Sequence, residues 1–186
     1  MRFIQTEIPD VIIIEPRLFK DERGWFMESF RQDIFDRNIP GINFVQDNES
    51  LSSFGVLRGL HYQLPPFAQA KLIRVITGTV LDVAVDIRKN SPTFGKYVSL
   101  KLSESNKRQL FISKGFAHGF VVLSSEAILQ YKVDEYYAPD YERALSFDDP
   151  TLGINWELPR KDIVLSDKDR ASPLLRDAQV FLSLEP

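Results

Sequence analysis

The stretch LDVAVDI, residues 81–87, carries the pattern on which the fold prediction depends. Its four aliphatic residues at odd-numbered positions would point to one side of an extended chain, and Asp82, Ala84 and Asp86 would point to the other. Strict alternation of this kind predicts a β-strand with one buried face.

The same period-two pattern recurs on both sides of this stretch. Residues 96–103 and 128–136 repeat it, and turn-forming clusters such as Pro65-Pro66 separate the segments. About ten strands arranged in this way predict an all-β sandwich or barrel, and we expect a jelly roll whose two sheets enclose a pocket. Only short helices are predicted, at residues 31–38 and 173–178. The other predicted strands are residues 11–15, 25–30, 44–48, 57–63, 72–77, 109–112 and 119–123.

Length and composition indicate one globular domain spanning residues 1–186. The hydrophobic fraction of 44% and the charged fraction of 26% are ordinary for such a domain. A formal net charge of −3 provides no broad basic surface for nucleic acid. Because there is no run of about 18 apolar residues and the start of the chain carries acidic residues, we expect neither a membrane span nor a signal peptide. Cysteine is absent as well, so we expect a cytoplasmic protein.

Histidine is scarce, which limits metal chemistry. Only His61 and His118 occur, and no cysteine supplements them. Zinc sites usually draw on several His or Cys ligands. A two-His, one-carboxylate iron site remains open on arithmetic alone, but we expect no metal and no other cofactor.

The segment GVLRGLHYQ, residues 55–63, holds the first histidine in a run interrupted by glycines. On a regular strand Arg58 and His61 would point to opposite faces, unless a bulge at Gly59 re-aims one of them. The ordinary interpretation is a surface arginine and a hydrogen-bonded core histidine.

Three further residues are unusual for their surroundings. His118 lies in KGFAHGF between two glycines, which indicates close approach of the backbone to another group. Lys71 begins an apolar strand, where a snorkelling lysine is the ordinary explanation. Tyr131 lies on the apolar side of its strand and would ordinarily be a core residue. The charged run at residues 165–170 is by default a solvated loop.

Together these residues form a set with a defined chemistry. It contains a His base, a Tyr acid, a Lys cation, an Asp that could orient the His, and arginines that could bind an anion. Such a set suits proton abstraction next to a carbonyl group. The sequence has neither a P-loop nor a GxGxxG motif, so neither nucleotide hydrolysis nor a Rossmann cofactor is indicated.

Several long motifs resemble the dTDP-4-dehydrorhamnose 3,5-epimerase family, and the resemblance runs nearly end to end. The motifs are FKDERGWFMESF (19–30), FVQDNES (44–50), GVLRGLHYQLPPFAQAKLIRVITG (55–78), DVAVDIRKNSPTFGKY (82–97), FISKGFAHGF (111–120) and LSDKD (165–169). The resemblance implies a cupin-type jelly roll (a double-stranded β-helix), a homodimer, and catalysis without a cofactor. It also implies a dTDP-linked 4-keto-6-deoxy sugar as substrate, inverted at C3 and C5 in dTDP-L-rhamnose biosynthesis.

The resemblance assigns catalytic roles to four residues. His61 would be the general base, with Asp169 preferred to Asp167 as its hydrogen-bond partner. Tyr131 would be the acid on the opposite face of the sugar, and Lys71 the cation beside its C4 oxygen.

The resemblance also implies a substrate-binding set. In it, Arg23 and Arg58 would contact the diphosphate and the substrate, and Tyr137 would stack on thymine. The full set is Arg23, Phe26, Glu28, Gln46, Asp47, Asn48, Arg58, Lys71, His118, Tyr137, Glu142 and Lys168.

Other functions remain open at this stage. Some relatives of this family epimerise a single carbon or isomerise the ketone, and Tyr131 argues against those that lack the acid. A metal-dependent cupin, such as a dioxygenase or sugar isomerase, would need a third ligand beyond the two histidines. A non-catalytic nucleotide-sugar binding module would keep Arg23, Arg58 and Tyr137 but would need no His–Asp pair.

Overall fold

A computed structural model describes residues 1–182, and most of its regular structure is β-strand. Within that range the helices are α1 (Gln32–Asn38), α2 (Asp167–Arg170) and three 3₁₀ turns, at Pro139–Tyr141, Arg160–Asp162 and Leu175–Asp177. The strands are β1 (Arg2–Gln5), β2 (Val11–Glu15), β3 (Leu18–Asp21), β4 (Gly24–Met27), β5 (Gln46–Ser53), β6 (Leu57–Gln63), β7 (Lys71–Thr77), β8 (Thr79–Asp86), β9 (Tyr97–Ser103), β10 (Gln109–Ile112), β11 (Phe116–Val122), β12 (Glu126–Val133) and β13 (Glu142–Ala144).

The strands form two antiparallel sheets and a separate hairpin. The larger sheet has the order β1-β2-β10-β7-β12-β5, and the smaller has the order β13-β6-β11-β8-β9. Among the described residues, strands β3 and β4 pair only with each other. The predicted fold class, an all-β cupin-type jelly roll with a few short helices, is confirmed.

Apolar residues are buried on both faces of the smaller sheet. Between the sheets, Val80 packs in one cluster with Ile73 of the larger sheet. On the other face, Val83 packs in a second cluster with Trp156 and Leu175 from the C-terminal part of the chain. The smaller sheet is therefore the middle layer of the molecule.

This layering corrects the prediction for residues 81–87, because β8 is buried on both faces rather than one. The aspartates that alternation assigned to solvent, Asp82 and Asp86, are both fully buried. Each is hydrogen-bonded to a cationic or potentially cationic side chain, Asp82 to His118 and Asp86 to Arg88. The alternating pattern of β8 therefore distinguishes a buried face that carries hydrogen-bonded aspartates from a buried aliphatic face. It does not distinguish a buried face from a solvent-exposed one.

Helix α1 covers part of the outer face of the larger sheet. Phe35 is fully buried there. Its ring lies 5.1–5.7 Å from those of Phe3, Phe30 and Phe44. Such edge and tilted contacts stabilise aromatic clusters beyond simple area burial, which explains why this short helix forms where it was predicted.

Other predicted elements differ from those observed. Strands β1, β3 and β13 were not predicted, because each is a short edge element without apolar alternation. The predicted helix at 173–178 is only the 3₁₀ turn Leu175–Asp177. The Leu175 N–H donates to the Asp149 carboxylate at 2.6 Å, so this segment is bonded to a neighbouring loop.

The prediction of a solvated loop at residues 165–170 is wrong. The segment contains α2, whose N-cap Ser166 accepts a hydrogen bond from the Asp169 N–H. Asp169 is buried within it. Within residues 1–182, no helix is long and apolar enough to cross a membrane.

Candidate active site

A cleft of about 300 Å³ opens between the two sheets. One wall carries residues of β6 and β13, and the other carries residues of β5, β7 and β12. His61, Lys71 and Tyr131, three of the four predicted catalytic residues, therefore share one cavity. The lining residues are Gln46, Asn48, His61, Tyr62, Gln63, Gln69, Lys71, Tyr131, Tyr137 and Glu142.

His61 is hydrogen-bonded to Asp169, with 2.6 Å between Nε2 and Oδ1. The second carboxylate oxygen of Asp169 accepts from the Ser166 hydroxyl at 2.7 Å. Burial favours the neutral acid, but hydrogen bonds from His61, Ser166 and the Gly59 N–H outweigh it and lower the pKa of Asp169. An ionised Asp169 holds the proton on Nε2 and leaves Nδ1 as the basic nitrogen. Asp167, the alternative partner, is exposed.

Strand β6 bulges at Gly59, as is necessary for Arg58 and His61 to share a face. Their partners on β11 are only two residues apart, so two residues of β6 lie opposite Gly119 alone. Gly59 has a φ of +131°, and a Cβ there would lie 2.5 Å from the Gly119 Cα. The close approach that the glycines indicated is therefore between these two strands.

Lys71 and Tyr131 project from neighbouring strands on the opposite wall, with the Lys71 ammonium 5.6 Å from the centre of the Tyr131 ring. Burial lowers the pKa of Lys71 to about 8, against the raising effects of Glu142 and Asp82. Burial raises the pKa of Tyr131, and Glu142 acts in the same direction while Arg58 opposes it. At neutral pH the wall therefore presents a protonated phenol beside an ammonium.

His118 lies outside the lining of the cleft. It is buried, and its Nε2 lies 2.9 and 3.0 Å from the two carboxylate oxygens of Asp82. Asp82 also raises the pKa of Lys71, against the larger lowering effect of burial.

Three side chains are linked at the mouth of the cleft. The Tyr137 hydroxyl donates to the Glu142 carboxylate at 2.8 Å, and the Lys168 ammonium bonds the same carboxylate. Burial would raise the pKa of Glu142, but hydrogen bonds from Lys168 and Tyr137 outweigh it and lower that pKa. The linkage joins β13 to α2, next to Asp169.

Arg58 borders an adjoining depression of about 370 Å³, which shares His61 with the main cleft. Its Nε donates to the Ser52 hydroxyl at 3.0 Å. Lys168 and Asp169 line the same depression. Two cationic side chains therefore flank the His–Asp pair, a setting suited to an anionic part of a ligand.

Besides His118, four predicted binding residues lie away from the cleft in this chain. Phe26 of the β3–β4 hairpin is 64% exposed. Arg23 and Glu28 are also exposed and form ion pairs with near neighbours in sequence. Asp47 alternates away from the cleft-lining residues of β5 and bonds the Lys132 ammonium at 2.9 Å.

The sequence predictions missed three lining residues: Tyr62, Gln63 and Gln69. Gln63 and Gln69 each stand two residues from a predicted catalytic residue, His61 and Lys71 respectively. The period of a strand would place them on the same face, so a signal for Gln63 was present in the sequence.

Within residues 1–182, no group of three or more His, Asp or Glu side chains is arranged to hold a metal ion. The Nε2 atoms of both histidines are instead engaged by carboxylates, those of Asp169 and Asp82. In the described part of the chain, the two histidines do not share a carboxylate in a group of the kind that the iron-site alternative required.

Comparison with known proteins identifies the family. Residues 5–177 match the family model described as dTDP-4-dehydrorhamnose 3,5-epimerase. The chain is 54% identical over 183 residues to the dTDP-4-dehydrorhamnose 3,5-epimerase of Shigella flexneri, covering 98% of this chain and 100% of that one. It is 50% identical over 182 residues to the enzyme of the same name from Methanothermobacter thermautotrophicus, covering 97% and 98%.

Solved structures agree with this assignment. The dTDP-6-deoxy-D-glucose-3,5-epimerase of Legionella pneumophila, in complex with dTDP-4-keto-L-rhamnose, superposes with a TM-score of 0.92 at 49% identity, covering 96% of this chain and 94% of that one. A 3'-monoepimerase from Streptomyces bikiniensis, in complex with dTDP-quinovose, gives a TM-score of 0.85 at 33% identity, covering 93% and 87%. The motifs and the fold agree with these likenesses, and the chain belongs to the dTDP-4-dehydrorhamnose 3,5-epimerase family.

Proposed function

We propose that this chain inverts C3 and C5 of dTDP-4-dehydro-6-deoxy-D-glucose to give dTDP-4-dehydro-L-rhamnose, without a cofactor. One observation carries the proposal: His61 on one sheet and Lys71 and Tyr131 on the other line the same cleft. Relatives at 54% and 50% identity bear the name of this activity. The cytoplasmic location expected from the sequence stays a prediction.

The C4 ketone of such a sugar acidifies the hydrogens on both C3 and C5, so one site can act on both carbons. The proposed base is the Nδ1 of His61, and ionised Asp169 stabilises the imidazolium that forms. Proton removal places negative charge on the C4 oxygen. The Lys71 ammonium, preorganised in a partly buried site, would stabilise that charge in the transition state.

Inversion requires that the proton return from the face opposite the base. Tyr131 stands on the wall opposite His61, and burial raises its pKa, which keeps the phenol protonated. Tyr131 donates a proton to the enolate carbon. Loss of the imidazolium proton of His61 to solvent and reprotonation of the phenolate from solvent then restore both groups and balance the reaction. In this proposal the base and the acid therefore act from opposite walls of the cleft.

The remaining predicted contacts extend the site toward the nucleotide. Gln46, Asn48 and Tyr137 line the cleft. We propose that the hairpin residues Arg23 and Phe26, together with Glu28, reach the cleft of a second copy in a homodimer. Their exposure in a single chain supports this arrangement. Sedimentation velocity, which would report a mass near that of two chains, tests it.

Deuterium exchange tests the proposed reaction. We expect incubation of dTDP-4-keto-6-deoxyglucose with the protein in D2O to label both C3 and C5, as read by proton NMR. Label at neither carbon would exclude an epimerase and favour a nucleotide-sugar binding module. Label at one carbon would select a mono-epimerase, the activity named for the Streptomyces bikiniensis neighbour.

Tyr131→Phe should separate exchange from inversion. Because the variant keeps the base but lacks the acid, we expect inverted product at C5 to fall by about 10²-fold while exchange falls far less. The measurement is the ratio of exchanged to inverted sugar by NMR. Tyr97→Phe, outside the cleft, serves as the matched control. Equal losses of exchange and inversion would contradict the assignment of Tyr131 as the acid.

A further inference from the structure

Residues 135–138 lie in the link between β12 and the 3₁₀ turn Pro139–Tyr141 and have no regular secondary structure. The segment carries Tyr137, whose ring lines the cleft while the residue remains 54% exposed. A half-exposed aromatic on an irregular segment needs some other constraint if it is to meet the substrate in one position. The described hydrogen bonds point to side-chain amides as that constraint.

Gln63 contacts this segment on both sides of Tyr137. Its Nε2 donates to the Tyr136 carbonyl at 3.2 Å and to the Phe67 carbonyl at 2.6 Å. Its Oε1 accepts from the Ala138 N–H at 2.8 Å. Gln63 is 3% exposed, so these partners replace water around a buried amide.

Two further glutamines bond the same segment. The Oε1 of Gln46 accepts from the Tyr137 N–H at 3.2 Å. The Nε2 of Gln69 donates to the Glu135 carbonyl at 2.8 Å. With Gln63, three cleft-lining glutamines from different parts of the fold thus bond four consecutive residues. We call Gln46, Gln63 and Gln69 the glutamine clasp.

The chemistry of the amide explains the residue type. A primary amide has two N–H donors and a carbonyl acceptor, and Gln63 uses both donors and its acceptor on backbone groups. These bonds leave no donor of Gln63 for a substrate, although the side chain borders the cleft. A carboxylate could not donate to two carbonyls, and it would add negative charge near Glu142. The role that remains for Gln63 is to hold the chain around it.

We propose that Gln63, assisted by Gln46 and Gln69, is a positioning residue that fixes Tyr137 against the bound nucleotide sugar. The inference rests on the proposed function, because it assigns Tyr137 to substrate contact. It predicts that the clasp acts on substrate affinity through Tyr137 and has no independent effect on proton transfer at His61.

A double-mutant cycle of Gln63→Met and Tyr137→Ala tests this directly. We expect Gln63→Met alone to raise KM for dTDP-4-keto-6-deoxyglucose by about 10-fold, with kcat changed by less than about threefold. In the Tyr137→Ala background the same change should alter KM by less than about twofold, because the residue that it positions is gone. Equal effects of Gln63→Met in both backgrounds would overturn the proposal.

Gln109→Met is the matched control. Gln109 is buried to the same degree and donates to a backbone carbonyl, that of Ser29, at 2.6 Å, but it is not part of the cleft lining. A similar loss of thermal stability in both variants, with KM raised only by Gln63→Met, supports positioning. A KM raised equally by both would mark a general effect of lost buried hydrogen bonds and overturn it.

Gln69→Met keeps the proposal testable if Gln63→Met does not fold. Gln69 is only partly buried and makes one bond to the segment. We expect a smaller rise in KM that again disappears in the Tyr137→Ala background, and a rise that persists there would overturn the proposal. Turnover by the unmodified protein in the same assay separates these outcomes from a failure of the proposed function.

Discussion

Replacing His61 with alanine is expected to abolish deuterium exchange at both C3 and C5 and to lower turnover by about 10⁴-fold. One imidazole faces the cleft, and one carboxylate, Asp169, is bonded to it at 2.6 Å. If a single base removes both protons, both carbons must lose exchange together. Time courses in D2O followed by proton NMR would measure each carbon separately.

Asp169→Asn and Asp167→Asn form a matched pair for the same experiment. Asp169 is buried and bonded to His61, whereas Asp167 lies two residues away and is exposed. An amide at 169 can present its N–H to Nε2 and so favour the wrong tautomer, and we expect a loss of about 10²–10⁴-fold. Asp167→Asn should remain within about twofold.

Exchange that survives at one carbon in His61→Ala would reveal a second base and refute the single-base mechanism.

Alternation was sufficient for the central strands of this fold. The alternating run predicted at residues 96–103 forms β9, Tyr97–Ser103, and the bounds of β6 and β10 match their predictions at both ends. Alternation failed for β8, whose aspartates lie on the face that packs toward the larger sheet, while the C-terminal part of the chain covers the aliphatic face. Local periodicity records that two faces differ, but it cannot tell what covers the more polar one.

In the candidate site, too, features set by neighbouring residues could be inferred from the sequence, whereas contacts between distant residues could not. The bulge at Gly59 was one of two alternatives that the sequence left open, the other being a surface arginine and a core histidine, and the structure has the bulge. The partnership of His61 with Asp169 joins residues 108 positions apart, and no spacing rule predicts it. It came from the family resemblance alone. Strand spacing from His61 could have placed Gln63 in the cleft, but its bonding could not be predicted, because its partners are backbone atoms of residues 67, 136 and 138.

Lys71→Met is expected to lower kcat by about 10²–10³-fold, the usual cost of removing a preorganised donor to a developing oxyanion. In the unmodified protein the ammonium is the active form, and its pKa is about 8 because burial disfavours the charge. Activity should therefore be lost as the pH rises, with kcat/KM falling about tenfold per pH unit above 8. Lys71→Arg, which stays charged, should lose this alkaline decline whatever activity it retains.

The same substitution should stabilise the fold while it removes activity. Folding lowers the pKa of Lys71 from 10.5 to about 8, so the cost of burying its charge is fully present below pH 8. Between pH 8 and 10.5 the unfolded chain binds more protons than the folded one, and stability from this group rises with pH. Lys71→Met removes the cost and should raise the free energy of unfolding at pH 7 by about 1–3 kcal/mol. Thermal unfolding measures this difference. A Lys71→Met variant less stable than the unmodified protein would contradict the prediction, because it would mean that partners of the ammonium offset the cost of its burial. Stability gained together with catalysis lost would identify Lys71 as a charge retained for the enolate.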